Sequence, residues 1–356
     1  MRIAQVIDSL EVGGAERMAV NYANALLNKT GFSGLVVTRK EGPLKNDLHQ
    51  SVGYCFLDKK STIDRKAVLR LLHFCKSNKI THLQPHSSSY FTAFLVKLLA
   101  PGIQIIWHDH NGLSEFLGSG KWMPLKIASF FFKGIVVVNY QLKNWAEKEL
   151  YCKHVLYLPN FTNIEQKNQE TILHGISGKR ILCVANLRDQ KNHFLLLRVA
   201  KIIKEIHPLW TFHLVGKDFN DAYSAKLNEE IISMELSSHV FLYGTKSDTG
   251  NIIAQSDIAI LTSKSEGLPV ALLEYGLLKK PVVVTQVGEI PLIIKNKVNG
   301  FIVASDDADA FAVALLELIA DETLRNAFGA ALYETISENN SEQAVLSKYL
   351  NWLKEI

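Results

Sequence analysis

Residues 265–276 read Ser265-Glu266-Gly267-Leu268-Pro269-Val270-Ala271-Leu272-Leu273-Glu274-Tyr275-Gly276, shortly after the apolar run Ile258-Ala259-Ile260-Leu261. The run has the length of a buried strand, Gly267 permits a tight turn, and Pro269 suits the first turn of a helix over residues 270–279. Glu266 precedes that helix and Glu274 sits two turns into it. One carboxylate can thus meet a ligand at the helix mouth while the other reaches along its side, each a double acceptor suited to paired hydroxyl groups. The competing reading has Glu266 capping the helix and Glu274 in solvent. Against it, Glu274 is flanked by Ala271, Leu272, Leu273 and Leu277, where a charge is costly unless a partner holds it.

The same strand-then-helix rhythm continues in both directions. Strands are predicted over 180–185, 211–215, 240–243, 258–261, 281–285 and 300–303, with helices over 194–207, 224–235, 270–279 and 307–321. Upstream, strands over 2–7, 34–38, 53–57, 82–85, 104–107 and 134–138 alternate with helical patterns over 15–27, 65–77 and 91–99. Alternation of this kind means parallel sheets covered on both faces. Residues 162–179 are polar with little periodicity and read as a linker. The fold class is α/β: two facing Rossmann-like domains with parallel sheets and an interdomain cleft, the first over 1–165 and the second over 166–340. A last helix over 341–356 sets Val345, Tyr349, Trp352 and Ile356 on one face, so it should dock.

Open parallel sheets bind ligands beyond the carboxyl ends of their strands, so chemistry is sought in the loops that follow strands. The first such loop carries Gly13-Gly14, which lets the backbone approach a ligand next to helical N–H groups that favour an anion. Neither Gly-x-Gly-x-x-Gly nor a Walker loop is present, which removes support for dinucleotide and P-loop chemistry. The second is Trp107-His108-Asp109-His110-Asn111-Gly112, where imidazoles could bind polar groups or act as acid and base. Neighbouring residues of an extended chain point opposite ways, which disfavours three ligands to one ion. The third runs from Val184 to His193, with Arg188 and Lys191 placed where two cations offset the charge of a diphosphate. Asp307-Ala308-Asp309 has Asp-x-Asp spacing but opens a helix, where capping is the simpler role.

Composition sets limits on these readings. The 356 residues suffice for two domains, and 47% hydrophobic content with 21% charged excludes disorder. Residues 1–165 hold 20 Lys+Arg against 12 Asp+Glu, or +8, whereas 166–356 hold 19 against 23, or −4. The basic half attracts phosphates or anionic headgroups over roughly 8 Å at physiological salt. The four cysteines form no C-x-x-C pair, which argues against zinc or a disulfide framework and fits a reduced setting. Asp8 interrupts the first apolar run before signal-peptide length, and no stretch nears the roughly 18 apolar residues that span a bilayer. A cytoplasmic protein, with at most peripheral contact at the inner face of the membrane, is expected. No basic-aromatic repeat suggests nucleic acid. The segment 120–126 with Phe130-Phe131-Phe132-Lys133 mixes cations and aromatics; it could rest on an anionic membrane, or its phenylalanines could be core.

The Glu-x7-Glu block resembles the signature of the retaining GT-B glycosyltransferases of glycosyltransferase family 4. Further likeness lies in Gly-Gly-Ala-Glu-Arg near the start, Leu158-Pro159-Asn160, Gln190-Lys191-Asn192-His193, Leu214-Val215-Gly216 and residues 299–303, in that order. The resemblance implies that Gly13 and Gly14 approach the donor diphosphate and sugar, and that Lys191 binds the diphosphate. It implies an arginine immediately before Leu187, where Asn186 stands; Arg188 is the cation offered in its place. Glu266 would contact donor-sugar hydroxyls and Glu274 the ribose, with Gly267, Leu268, Pro269 and Val270 forming the helix mouth against the diphosphate. His110, rather than His108, matches the histidine near the reacting centre. Gly216 and the stretch Tyr243-Gly244-Thr245 would lie by the nucleotide, the latter by the base. The last helix would return to the first domain, which would bind the acceptor while the second holds the donor.

The expected activity is retaining transfer of a sugar from a nucleotide-sugar, UDP favoured over GDP, onto a glycan or lipid-linked acceptor in polysaccharide biosynthesis, without metal or other cofactor. With no nucleophile evident, attack from the leaving-group face is favoured. The alternatives are a nucleotide-sugar epimerase of the same fold, or a non-catalytic sugar-nucleotide-binding subunit.

Overall fold

The structure is a computed structural model that describes residues 1–110, 119–162 and 170–356. Asn111 and Gly112 of the second loop and the stretch 163–169 around the expected domain boundary lie outside the described residues, as do the side chains of 119–122. The chain divides into one unit of Met1–Phe161 with Glu342–Ile356 and another of Thr162–Ser341.

The N-terminal unit runs β1 (Arg2–Ser9), α1 (Gly14–Ala25), β2 (Phe32–Lys40), β3 (Gly53–Phe56), α2 (Arg65–Ser77), β4 (His82–Pro85), α3 (Tyr90–Leu99), β5 (Gln104–Asp109), α4 (Ser119–Ser129), β6 (Gly134–Val137), α5 (Tyr140–Glu149) and β7 (Val155–Tyr157). The strands form one parallel sheet in the order β3-β2-β1-β4-β5-β6-β7. Successive residues of a strand face opposite sides, so each supplies two layers. On β1, Ala4 and Val6 enter the cluster with Leu71, Leu83 and Trp107, while Ile7 joins Ala19, Val20 and Leu35 under α1. Asp64 and Asn139 start α2 and α5 by accepting the Ala67 and Leu142 N–H groups, worth ~1 kcal/mol each.

The C-terminal unit follows with β8 (Arg180–Val184), α6 (His193–Ile206), β9 (Thr211–Val215), α7 (Ala222–Ser233), β10 (Val240–Leu242), α8 (Thr249–Ala254), β11 (Ile258–Leu261), α9 (Val270–Leu277), β12 (Val282–Thr285), α10 (Ile290–Ile293), β13 (Phe301–Val303), α11 (Ala308–Ala320) and α12 (Glu322–Asn339). Its parallel sheet has the order β10-β9-β8-β11-β12-β13. Ile258 and Ile260 of β11 face one layer, Ala259 and Leu261 the other. Asp307 caps α11 by accepting the Ala310 N–H at 2.9 Å, the role its Asp-x-Asp setting suggested. The final helix, α13 (Glu342–Glu355), packs on the N-terminal unit: Tyr349 lies edge-on to Tyr22 of α1, and Trp352 fills the space beside Gly134, where a Cβ would come within 2.4 Å of its ring.

Both units thus have the parallel α/β architecture expected. In each, the order reverses beside the first strand, between β1 and β4 and between β8 and β11, and ligands bind at such switch points.

Several elements differ from the sequence expectation. Residues 171–179 are no loose linker: Thr171 and Leu173 are buried, Asp248 accepts the N–H groups of Glu170 and Thr171 and the Thr171 hydroxyl, and the Arg180 guanidinium holds the carbonyls of Leu173, His174 and Gly175. Pro269 stands at the N-cap of α9 rather than in its first turn. The phenylalanine run splits, Phe132 going to the core at 6% exposure and Phe130 to solvent at 74%. No described helix is long and apolar enough to cross a membrane.

Candidate functional site

Because β8 and β11 are neighbours, the loops that leave their carboxyl ends meet. They are stitched by backbone and side chain: the Thr262 hydroxyl donates to the Lys191 carbonyl (3.0 Å), the Lys264 N–H to the Gln190 carbonyl (2.8 Å), and Gln190 Nε2 to the Ser265 carbonyl (2.8 Å). This seam aims Lys191 at Glu266. Lys191 Nζ and the Ser263 hydroxyl both donate to Glu266 Oε1, at 2.5 and 2.6 Å. The Glu266 side chain is only 6% exposed, and Lys191 retains 22%. Glu266 therefore does not cap α9. A Lys–carboxylate pair so shielded is held by charge-assisted hydrogen bonds and leaves the ammonium's remaining protons for a second acceptor.

The loop after β12 completes the frame. Gly288 has φ +54°, and a Cβ there would lie 1.8 Å from the Glu266 carbonyl oxygen, so only glycine allows the approach. The Glu289 N–H donates to the Gly267 carbonyl at 3.2 Å. Around this frame Gly267 is open, Leu268 is buried at 4%, Pro269 and Val270 begin α9, and Glu274 is half-buried on its side.

Arg188 is exposed and lies over the Phe219 ring at 4.4 Å, with Lys217 over the same ring at 5.3 Å. Asn186, at the place where the resemblance implies arginine, accepts the Lys217 N–H at 2.8 Å and ties the loops after β8 and β9 together. Gly216 makes that crossing possible, since a Cβ would meet the Ala185 carbonyl oxygen at 2.1 Å. Gly244 (φ +66°) accepts the Gly216 N–H. The Tyr243 hydroxyl accepts the His174 N–H and contacts His213 Nδ1, both at 2.9 Å, which ties this side chain to the edge of the sheet.

In the N-terminal unit, Gly13 opens α1 in extended conformation (φ −159°), with the Glu16 carboxylate folded back so that a Cβ on Gly13 would sit 2.2 Å from Oε2. Gly14 is open. His108 and His110 share one face of the chain leaving β5, as alternation requires, and stack at 4.0 Å between ring centroids. His86, from the end of β4, joins them: its Nδ1 contacts His110 Nε2 at 2.8 Å and its Nε2 contacts Gln5 Oε1 at 2.8 Å. His108 Nδ1 contacts Gln84 Nε2 at 3.1 Å. Burial drives His86 and His108 well below the usual histidine range and His110 down to about 3, so all three are neutral at pH 7. Their ligand nitrogens lie within 4.8 Å of one another. The facing nitrogens of His86 and His110 share one hydrogen across their 2.8 Å contact, one ring donating and the other accepting.

The structure brings Lys191 and Glu266 together, and His110 to His108. Sequence reasoning did not single out Ser263, Phe219 or Lys217 of the C-terminal unit, nor His86. Of these, only His86 carried a signal, a histidine just past a predicted strand end.

Residues 164–335 match the family described as glycosyl transferases group 1. The chain is similar to UDP-Gal:alpha-D-GlcNAc-diphosphoundecaprenol alpha-1,3-galactosyltransferase of Escherichia coli, 27% identical over 352 residues that cover 91% of this chain and 89% of that protein. It is likewise similar to the lipopolysaccharide core biosynthesis glycosyltransferase LpsE of Rhizobium meliloti, 28% identical over 96% of each chain. Among solved structures, Anabaena Alr3699/HepE in complex with UDP superimposes with a TM-score of 0.81 at 18% identity, covering 100% of both chains. With a group 1 domain over 164–335 and two switch-point sheets of this arrangement, the chain is a glycosyltransferase of GT-B fold.

Proposed function

We propose that this protein is a retaining glycosyltransferase of family 4 that moves a sugar from a UDP-sugar onto a glycan or lipid-linked glycan in polysaccharide biosynthesis. The observation that carries the reading is the Lys191–Glu266 pair at the mouth of α9, on the switch point of the C-terminal sheet. Donor binding there is supported by the charge arrangement: Lys191, Arg188 and the N–H groups opening α9 offset a diphosphate. As the nucleoside diphosphate departs, negative charge grows where these groups lie. The helix end contributes only ~0.3–2 kcal/mol, so the two cations supply the larger share. Glu266 holds donor-sugar hydroxyls, Glu274 the ribose, and the Gly13-Gly14 loop approaches the diphosphate and sugar. His110, neutral and half-buried, stands for the histidine beside the reacting sugar. With no nucleophile assigned, the acceptor attacks from the leaving-group face, and no metal or other cofactor is invoked.

The choice of UDP is supported by the E. coli relative, whose name specifies UDP-Gal and a diphosphoundecaprenol-linked acceptor, and by the UDP bound in the Anabaena structure. A membrane-borne, anionic acceptor fits the +8 charge of residues 1–165 and the exposed Met123, Ile127 and Phe130 of α4 and its end, features that support a site of action at the cytoplasmic face of the membrane. The test is a thermal-shift screen of UDP-, GDP- and ADP-sugars, followed by transfer from the stabilising donor to a diphospholipid-linked N-acetylglucosamine. UDP-sugars should raise the midpoint alone; stabilisation only by GDP- or ADP-sugars would remove the donor assignment.

A further inference from the structure

The histidine stack is wired to the last helix. Tyr349 of α13 is fully buried and its hydroxyl lies 2.6 Å from Gln84 Oε1; Gln84 is also fully buried and its Nε2 lies 3.1 Å from His108 Nδ1. Proton counting fixes the direction of this chain. Burial pushes the Tyr349 phenol well above its ordinary range, so it keeps its proton, and Gln84 Oε1 is the acceptor within reach. The Gln84 amide nitrogen has no lone pair and can only donate, so His108 Nδ1 accepts and carries no hydrogen. A neutral imidazole then holds its single hydrogen on Nε2. Reversing the Gln84 amide would strand the phenol proton in a dry core, which costs about 1–3 kcal/mol. Further along the chain, His108 Nε2 is buried and meets no hydrogen-bond partner among the described residues.

We infer that Tyr349, acting through Gln84, holds His108 as the Nε2–H tautomer, so that α13 positions the histidine stack and keeps one unspent N–H donor within it. An unspent buried donor is expensive, and an oxygen arriving at the stack relieves that cost. Tyr349 and Gln84 are positioning residues, and His108 is the group through which they act. α13 is held in register by Trp352 against Gly134, where any side chain would collide. The inference rests on the proposed function only in placing the stack beside the transferred sugar; the tautomer itself does not depend on it.

The experiment is nitrogen-15 NMR of histidine-labelled full-length protein at pH 7, paired with steady-state kinetics. The wild type should show His108 protonated at Nε2. Tyr349→Phe keeps the ring and its packing but frees the Gln84 amide, so His108 should become a mixture of tautomers, with kcat down about tenfold and the KM for donor unchanged. Gln84→Glu offers acceptors alone and should move the hydrogen to Nδ1. Tyr22→Phe removes a neighbouring hydroxyl that has no hydrogen-bond partner among the described residues and should leave the His108 signals in place. An Nδ1–H tautomer in the wild type, or unchanged signals in Tyr349→Phe, overturns the relay. Altered signals with full kcat overturn the positioning role. Absence of transfer by the wild type with every donor defeats the glycosyltransferase reading instead, while the spectra still decide the tautomer.

Discussion

Lys191 Nζ and Glu266 Oε1 meet at 2.5 Å although 75 residues separate them, because β8 and β11 adjoin and their loops leave the sheet at the same end. Lys191→Ala removes the cation proposed to bind the diphosphate and leaves the largely buried Glu266 carboxylate with Ser263 as its remaining donor in the pair's place. A hydrogen bond to a charged group is worth about 1.5–3 kcal/mol, so kcat/KM should fall roughly ten- to hundredfold. UDP should lose most of its stabilising effect in thermal shift, while circular dichroism stays that of a folded protein. Full activity in a folded Lys191→Ala variant would remove the site assignment.

Gly288 lies against the main chain of Glu266. With φ at +54° and the Glu266 carbonyl oxygen 1.8 Å from where a methyl group would stand, Gly288→Ala combines backbone strain with a clash against the main chain. The expected outcome is a loss of about 2 kcal/mol or more of stability, with activity reduced because the loop ahead of α9 must move. A melting temperature and kcat within error of the wild type would show that the three-loop frame does not hold Glu266.

The alternation of strand and helix was legible because parallel strands buried on both faces are continuous apolar runs, such as Ile258-Ala259-Ile260-Leu261. The Glu266–Glu274 block and Lys191 could be found because polar residues just past strand ends stand out against such runs. The three-residue edge strand Val155–Tyr157 is too short for periodicity, and α5 buries only Leu142 and Ala146 among polar neighbours. Pairings across the fold left no local trace. Nothing around His86 announces Gln5 or His110, and the docking face that carries Tyr349 does not announce Gln84, since those partners arrive from strands distant in sequence.

Met123, Ile127 and Phe130 recur at intervals of four and three on α4 and just beyond its end, and are 47%, 55% and 74% exposed. With the basic balance of residues 1–165, this ridge should bind vesicles containing anionic phosphatidylglycerol more strongly than neutral ones. Raising salt should weaken the binding as charges are screened beyond about 8 Å. Ile127→Ser with Phe130→Ser should lower binding at every salt concentration by removing apolar contact. Sedimentation with vesicles checks this; equal binding by the double variant would assign the ridge no membrane role.

The buried histidines set a pH limit on the fold. His86 and His108 are driven well below the ordinary histidine value, and His110 and His213 to about 3 and His193 to about 4, in each case chiefly by burial. In the unfolded chain each titrates near about 6.5, so between that value and the folded one the unfolded state binds more protons. Stability should therefore be fully present above pH about 6.5 and be lost progressively as pH falls toward 4. Each such histidine contributes at most about 1.4 kcal/mol per pH unit within the window. A melting series from pH 8 to 5 should be flat at first and then decline, and His213→Gln should make the decline shallower, since glutamine has no proton to gain on unfolding. A midpoint that holds constant from pH 7 to 5 would mean that these imidazoles are not held neutral by burial.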